Sequence, residues 1–567
     1  MKENSSENTD INNNKNSLQD NTEKMYSYND GKKVENNGEF GAIRRSIGPD
    51  DSNIINNKKS NGFNYSIGGV NPNNINNINE VNTINNSHYN PSAEYVPRAS
   101  IVHINQNPPL YWMLFLIFGF LQIILIIILG FYYEWEKSID DEESYGKFRK
   151  DIKYKYKFFQ DVTIMIFLGF GFLRAFLKHH SWSAIALNLI GGVFSFEFGL
   201  FCLICWSSIL QKNWFNGYYN FEHFFDSLYL SGSYIISFGA IFGKLSFPQY
   251  LVLILVETMF SSVNYALIRQ TLKLIDIGGT LTVHLYGAVF GVFFSIISFC
   301  NKNEQERINT SIHLDSDDNS NLFALFGSIM VIPYWPSFNT ALVEANQQYR
   351  GIINTYFAIG GSIIGMFFMT HILYDRKIKI EDLYYASFPG AIIIGGCCHI
   401  IKEFYLCIIL GLFAGIFASL FFYLFKKIIK NNKIGYHDTS EVLFYHGIPA
   451  FLGGIISSIF VGNLTNWKDS FNNFDYRLFI GSLLDYPHKQ AQNMTGKGAV
   501  QFAAIFISIA IGALSGLIAG FSIKYCNCHI TLRYFNDSEV FDVDEHEPFP
   551  WRDEDIDLKI DYKSKHK

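Results

Sequence analysis

Two histidines in strongly apolar stretches are the residues best placed to do chemistry. His284 follows Asp276 by eight residues, and His446 follows Asp438 at the same spacing. A ring buried among apolar helices must find a hydrogen-bonding partner or carry a free-energy cost, so ionisable groups at membrane depth are candidates for a conduction path. On a helix rising about 1.5 Å per residue, each Asp would lie about 12 Å from its His and could cap the helix that carries it. The repeated spacing favours a paired site over two unrelated core histidines.

The composition places this site in a membrane. Of 567 residues, 49% are hydrophobic and only 17% are charged. Such a chain is too apolar for an ordinary soluble protein and predicts an all-α polytopic membrane protein set in a lipid bilayer. The net charge of -6 and the lack of a basic patch argue against a nucleic-acid partner. No nucleophile and base motif, phosphate loop or zinc spacing occurs, so we predict no enzyme activity, no cofactor and no metal site.

Three regions follow from the pattern of apolar residues. Residues 1–107 are rich in Asn and polar, and we expect disorder there because they cannot bury enough apolar surface. Residues 108–523 form the predicted transmembrane domain, and residues 524–567 an acidic cytoplasmic tail. The transmembrane domain contains about twelve apolar runs near the length of a spanning helix, at about 111–133, 158–177, 184–209, 223–243, 248–270, 279–299, 321–345, 350–373, 385–400, 402–425, 443–463 and 499–523.

The charges between the runs predict the orientation. An even number of spans puts both termini on one side of the membrane. Lys and Arg recur in alternate short loops, among them Lys178, Lys244, Lys302, Arg376 and Lys426. By the positive-inside rule both termini are then cytoplasmic. The polar loop at about 135–157 is basic as well and departs from this pattern. Paired glycines such as Gly360 and Gly361, or Gly411 and Gly415, predict closely packed helices.

Several motifs in order carry a family resemblance. They are Phe159-Gln160-Asp161-Val162 before Phe167-Leu168-Gly169-Phe170-Gly171-Phe172, Phe238-Gly239-Ala240 with Gly243-Lys244, Gly278-Gly279 through His284 to Gly287-Ala288, Trp335-Pro336-Ser337-Phe338-Asn339, Ile353-Asn354-Thr355-Tyr356 and His446-Gly447-Ile448-Pro449. With them, the chain from about 108 to 523 resembles the Rh-type branch of the ammonium transporter family. The first span and the polar loop after it are also similar to this branch.

The resemblance implies a fold and a site. The fold would have two inverted five-helix halves around a pore, plus the extra N-terminal span, and the protein would be a homotrimer with one pore in every subunit. His284 and His446 match the paired pore histidines of the family, halfway through the membrane. Asp276 and Asp438 match the carboxylates that precede them and support the pore.

The outer gate is where the sequence departs from the family. Phe338 matches one of the two gating Phe rings. Counting back from Gly243 without a gap, the other gate position falls on Tyr229, where the family usually has Phe. Phe225 lies one turn away and would take the role if the register slips. The Tyr229 phenol would either narrow the gate or hydrogen-bond the cation.

Physical chemistry favours neutral ammonia as the species that crosses. Moving an ammonium-sized cation into a low-dielectric medium costs on the order of 20 kcal/mol in the Born limit. Taking a Lys-like pKa of about 10.4, deprotonation at pH 7 costs only about 4.6 kcal/mol. Outer aromatic rings would hold the cation by about 0.5 to 2 kcal/mol before the proton leaves. We therefore predict passive ammonia or ammonium transport, with methylammonium as a further cargo, in a multi-pass protein of the plasma membrane.

Two alternatives keep the fold and change the role. One is a gas channel that also passes carbon dioxide. The other is a non-conducting structural or sensing protein, against which the two retained histidines argue. Two further acidic residues, Glu197 and Glu257, lie in apolar runs. They are either proton or cation relays or, as we favour, carboxyl groups bonded between packed helices.

Overall fold

The structure is a computed structural model of the chain. It describes residues 108–135, 145–212, 217–219, 221–299, 316–343, 345–428, 436–463, 494–525, 537 and 541. The predicted disordered region 1–107 and nearly all of the predicted tail 524–567 lie outside the described residues.

Helices dominate the part of the chain that the structure describes. In chain order the α-helices are α1 (Pro108–Tyr132), α2 (Tyr145–Ile164), α3 (Phe170–Leu173), α4 (Ser181–Gln211), α5 (Phe221–Ile241), α6 (Phe247–Tyr265), α7 (Tyr286–Ser298), α8 (Asp318–Thr340), α9 (Ala345–Leu373), α10 (Ile380–Tyr385), α11 (Phe388–Gly395), α12 (Phe404–Ile428), α13 (Ile448–Asn463) and α14 (Met494–Tyr525). Two short strands, β1 (Tyr133–Trp135) and β2 (Gly217–Tyr219), pair in parallel.

The predicted membrane architecture is confirmed. Within the described ranges, nine helical segments are long and apolar enough to cross a membrane. Each of the twelve predicted runs also contains helix. The runs outside the nine are α1, with a shorter apolar stretch at Leu116–Phe131, α5, which carries two acidic residues and four serines, and the short pair α10 and α11.

Two local predictions differ from the structure. The loop predicted at about 135–157 is helical from Tyr145 onward, although α2 is rich in Lys and Tyr in its first half. Its Lys155, in the second half of α2, forms a largely exposed ion pair with Glu222 of α5 at 3.2 Å. Such a pair contributes little stability, but it joins α2 to α5. The run predicted at 385–400 is divided between α10 and α11 and is not helical throughout. Helix α11 begins with Pro389 in its first turn, where the missing N–H does no harm.

π-Helical turns interrupt the regular helices at four places in the described chain. They are Met165–Gly169, Ala266–Thr271, Thr280–Leu285 and Leu443–Gly447. His284 lies in the third turn and His446 in the fourth, and these two turns continue directly into α7 and α13. Single π turns inside helices are rare overall, but those that occur are often at functional sites. The two predicted halves therefore carry their histidines on the same local structure.

Glycines let helices α9 and α12 touch through their backbones. A Cβ atom on Gly361 would lie 2.3 Å from the carbonyl oxygen of Ile408, and one on Gly411 would lie 2.0 Å from that of Ala358. Both distances are far below contact distance, so only glycine permits this approach. Gly360 faces open space, with no heavy atom within 4 Å of the position of a Cβ. One glycine of this pair thus packs against α12 and its neighbour does not.

Asp537 fixes a point of the C-terminal region to the start of α4. Its carboxylate accepts hydrogen bonds from the backbone N–H groups of Trp182, at 2.7 Å, and Ser183, at 3.0 Å, and from the Ser183 hydroxyl. The first N–H groups of a helix lack partners within the helix, so a carboxylate there acts as a cap.

Candidate functional site

The histidines that share the Asp spacing meet in the interior. The Nδ1 atoms of His284 and His446 lie 3.3 Å apart, their ring centroids are 5.4 Å apart, and both side chains are buried. In a neutral pair one Nδ1 donates its proton and the other accepts it. One Nε2 atom is then a bare acceptor and the other carries a proton. Neither Nε2 has a hydrogen-bonding partner among the described residues.

Aromatic rings surround this pair. The Trp335 ring stacks on His284 at 5.9 Å, and Phe338 lies 6.0 Å from the same ring. On the other side, Phe388 lies 5.3 Å and Phe170 6.4 Å from the ring of His446. The walls are apolar, and the Trp335 indole N–H likewise has no partner among the described residues. Unpaired polar atoms inside apolar walls are where a small polar molecule gains most by hydrogen bonding.

The two carboxylates lie at the start of the segments that carry the histidines. Asp276 accepts from the N–H groups of Leu281, at 3.0 Å, and Thr282, at 2.9 Å, and from the Thr282 hydroxyl at 2.8 Å. Asp438 accepts from the N–H of Leu443 at 2.9 Å and from the Tyr436 hydroxyl at 3.2 Å. Each carboxylate therefore caps its segment. The pore-supporting role of these caps stays a prediction.

A tight turn positions the His284 segment. Gly279 has φ +64°, a left-handed conformation in which a side chain is strained. The N–H of Gly278 donates to the carbonyl of Gly395 at 3.0 Å. The Thr280 hydroxyl donates to the carbonyl of Ile392 at 2.9 Å and accepts from the N–H of Gly396 at 2.7 Å. The end of α11 and the start of the His284 segment therefore hold each other in register.

The predicted gate residues are in contact. The ring centroids of Tyr229 and Phe338 lie 4.6 Å apart, and the Tyr229 hydroxyl donates a hydrogen bond to the Phe338 carbonyl oxygen. Phe225 instead packs edge-on against Phe159 at 6.0 Å. The structure thus brings Tyr229, and not Phe225, to Phe338. Phe338 also lies beside His284, so the ring pair and the histidine pair are adjacent.

Among the described residues, the two acidic residues of the apolar runs form hydrogen bonds with other side chains and none with the histidines. Glu257 is buried and accepts a hydrogen bond from the Ser237 hydroxyl on α5. Glu197 is half-buried and accepts from Gln122 of α1. Both contacts join neighbouring helices.

A charged cluster lies where α5 ends and the His446 segment begins. Thr439 and Ser440 donate their N–H groups to the carbonyls of Ala240 and Gly239. Lys244, just beyond α5, donates to the Ala240 carbonyl at 3.1 Å, and burial lowers its pKa to about 8. We call this end of the bundle, which carries Lys178, Lys244 and Asp438, the inner end, after the orientation that the charge pattern of the sequence predicts.

Two features of the site were missed in the sequence. Trp335 lies in a motif quoted for the resemblance, but no role was assigned to it. The feature that could have marked it is a Trp followed by Pro336 within an apolar run, four residues before Asn339. Arg174 follows α3 and is completely buried. It lies inside the predicted run 158–177, but the sequence analysis assigned it no role.

Fold and site define a multi-pass helical membrane protein with a buried histidine pair behind an aromatic contact. A sequence model of the Ammonium Transporter Family matches residues 122–549. The chain therefore belongs to the Ammonium Transporter Family, which makes it a transporter of ammonia or ammonium.

Curated relatives and a solved structure agree with this family. The ammonium transporter Rh type B of Takifugu rubripes is 28% identical over 417 residues, covering 71% of this chain and 86% of the relative. The ammonium transporter Rh type C of Canis lupus familiaris is 27% identical over 434 residues, covering 74% and 90%. The solved Rh50 of Nitrosomonas europaea matches with a TM-score of 0.56 and 22% identity, covering 74% of this chain and 100% of that chain. At that identity the structural likeness shows the fold. The prediction of an Rh-type member is thus confirmed.

Proposed function

We propose that this protein lets ammonia cross a membrane passively and in both directions, through a pore of its own in each chain. Ammonium loses its proton on entry, and the His284 and His446 pair guides the neutral molecule. One observation carries this proposal: two buried imidazoles share a 3.3 Å contact between their Nδ1 atoms, and both Nε2 atoms are unpaired inside apolar walls.

The arrangement of the imidazoles suits ammonia. Ammonia has one lone pair and three N–H donors. The pair offers one bare Nε2 acceptor and one Nε2 with a proton, so ammonia can donate to the first and accept from the second. A carboxylate at this place would hold ammonium as an ion pair and slow its release, whereas neutral imidazoles bind weakly and let the molecule pass.

The aromatic contact beyond the histidines suits the cation that arrives. Tyr229 and Phe338 present ring faces and edges next to His284. Attraction to aromatic faces of about 0.5 to 2 kcal/mol holds a cation without trapping it. Because a cation is far more costly than ammonia in the apolar region beyond, the proton leaves at this contact and returns to the outer solution.

The carbon dioxide alternative rests on the same apolar walls, but the unpaired Nε2 atoms favour a hydrogen-bonding cargo. Methylammonium is a further cargo of the same charge. The non-conducting alternative would leave the buried pair without a role.

The assembly and setting are part of the proposal. The charge pattern supports both termini in the cytoplasm. The homotrimer and the plasma membrane follow from the resemblance to the Rh-type branch. Residues 108–523 would form the transporting unit. The regions 1–107 and 524–567 would be accessory cytoplasmic segments.

Transport in proteoliposomes tests the function. We expect the full chain to speed the internal pH rise after an ammonium gradient in stopped flow, and to take up labelled methylammonium that ammonium displaces. Lipid vesicles without protein are the control. Equal rates of the internal pH rise with and without the protein would refute the proposal. A protein-dependent acidification with carbon dioxide but none with ammonium would favour the gas-channel alternative.

A further inference from the structure

Arg174 is a buried cation that the proposed pathway does not use. Its Nη1 atom donates to the Tyr385 hydroxyl at 3.2 Å and its Nη2 atom to the Ile235 carbonyl at 3.4 Å, and both partners are neutral. The Nε atom has no partner among the described residues. No carboxylate oxygen of the described residues lies within 4.0 Å of the guanidinium nitrogen atoms.

The fold makes room for this side chain. A Cβ atom on Gly239 would lie 2.2 Å from the Arg174 Cζ atom, so the guanidinium occupies the space that a larger residue would need. The acidic groups nearby act at longer range: Asp438 and Glu441 act electrostatically on Tyr385, as Arg174 does, and Asp382 accepts from the Tyr445 hydroxyl. A buried charge without a direct ion pair is expensive, and an apolar side chain of similar size would serve packing better. Ionisable groups at this depth are therefore candidates for a role in conduction.

The guanidinium lies between the histidine pair and the inner end, because it fills the space beside Gly239, whose carbonyl accepts the N–H of Ser440. The Arg174 N–H donates to the carbonyl of Phe170 at 3.1 Å, so Arg174 is one helical turn past a residue whose ring touches His446. Its partner Tyr385 stacks at 4.5 Å on Tyr445, the residue before His446. A molecule that leaves His446 toward the inner end therefore passes near a fixed positive charge.

We propose that Arg174 is a specificity-determining residue that keeps transport electroneutral. Its charge repels ammonium and protons that would continue from the histidines to the inner end, whereas neutral ammonia passes. The proton stays on the outer side, ammonia takes a new one from the inner solution, and no net charge crosses. Fixed cations act as such barriers in other narrow pores. This proposal rests on the proposed function.

The test compares charge movement with flux in the same proteoliposomes. Current after an ammonium jump is recorded on a solid-supported membrane, and ammonia flux is recorded by stopped-flow internal pH. For the wild-type chain we expect flux without sustained current. For R174Q we expect flux to persist and current to rise at least about tenfold, because losing one like charge in a medium of effective dielectric constant about 20 changes cation passage by one to two orders of magnitude.

Three variants sharpen the result. R174K keeps the charge and should stay without current. R174M keeps the length of the side chain and replaces R174Q if the latter does not fold. R350Q is the matched control, because Arg350 also donates to a backbone carbonyl, that of His399 at 3.3 Å, but makes no contact with the His446 neighbourhood among the contacts described above.

The outcomes are distinct. Current in R174Q or R174M but not in R174K and R350Q supports the proposal. Normal flux without current in the neutral variants overturns it and leaves Arg174 a structural residue that holds Tyr385. One charge per ammonium in the wild-type chain overturns it as well. Wild-type vesicles without any flux would instead refute the proposed function.

Discussion

The Tyr229 hydroxyl donates a hydrogen bond to the backbone carbonyl oxygen of Phe338, and the two rings are in contact at 4.6 Å. This bond ties α5 to α8 at the aromatic contact next to His284. A Phe at position 229 would keep the ring and lose the bond.

The first prediction concerns this contact. In Y229F the two rings should separate more readily, because the bond to the Phe338 carbonyl is lost. A net hydrogen bond contributes about 1 kcal/mol, which corresponds to a change of about fivefold in the rate of opening. We expect ammonia flux to rise by up to that factor in stopped flow. Y405F, which changes an exposed tyrosine, should leave flux unchanged. Unchanged or reduced flux in Y229F would contradict a gating role for the bond.

The caps of the two histidine segments should differ in strength. Asp276 accepts bonds from Leu281 and Thr282, including the Thr282 hydroxyl, whereas Asp438 accepts one N–H bond and one from Tyr436. A buried donor left unpaired costs about 1 to 3 kcal/mol. D276A should therefore lower the thermal unfolding midpoint in detergent more than D438A does. The midpoint of D276N should lie between those of D276A and the wild type, because Asn keeps one acceptor oxygen. A reversed order of D276A and D438A would refute the comparison.

Neighbouring glycines on α9 provide a matched pair. A methyl group on Gly361 would press on the backbone of Ile408, whereas one on Gly360 meets open space. Overpacking of this kind typically costs about 1 to 3 kcal/mol. G361A should lower the unfolding midpoint and G360A should leave it unchanged or raise it slightly, since Ala favours helix over Gly. Equal effects of the two variants would contradict the backbone contact of α9 with α12.

Glu441, just before the His446 segment, should make the stability of the fold depend on pH. Burial, and after it the negative charge of Asp438, raises the pKa of the Glu441 carboxyl, while Lys379, Lys426 and Lys244 act in the opposite direction. Between the ordinary glutamate value of about 4.3 and the raised value, the folded state binds the proton and the unfolded state does not. Stability from this group is therefore lost as pH rises through that window.

The measurement compares unfolding midpoints of the wild type and E441Q from about pH 5 to about pH 8. We expect the wild-type midpoint to fall more steeply than that of E441Q. E381Q removes a half-buried acid that pairs with Lys379 at 3.6 Å, and it should keep the wild-type slope. Identical slopes in the wild type and E441Q would show that Glu441 does not contribute.

Much of the fold was predictable because membrane-spanning helices appear in the sequence as long apolar runs. Each predicted run contains helix, since the bilayer demands about 20 apolar residues in one segment. The polar half of α2 was not predictable from composition, because a stretch rich in Lys and Tyr has no apolar run that would indicate a spanning helix. The break between α10 and α11 was hidden by a continuous apolar run.

The site was predictable in its residue types and less so in its geometry. The repeated Asp and His spacing and the Phe338 motif marked residues that the structure brings together. The π turns under His284 and His446 have no sequence signal, because they depend on how caps and neighbouring segments hold the backbone. Whether Tyr229 or Phe225 meets Phe338 depended on a register that only packing resolves. Arg174 lies inside the predicted run 158–177, and nothing in the run indicated its contacts with Tyr385 and the Ile235 carbonyl.

The central claim is that the two buried imidazoles guide ammonia. Ammonia flux of the double variant H284A/H446A, measured by stopped flow in proteoliposomes, tests it most directly, with H371A as a control because His371 is an exposed histidine at the end of α9. The account predicts that flux of the folded double variant falls to the level of protein-free vesicles while H371A matches the wild type. Undiminished flux in the double variant would contradict the claim.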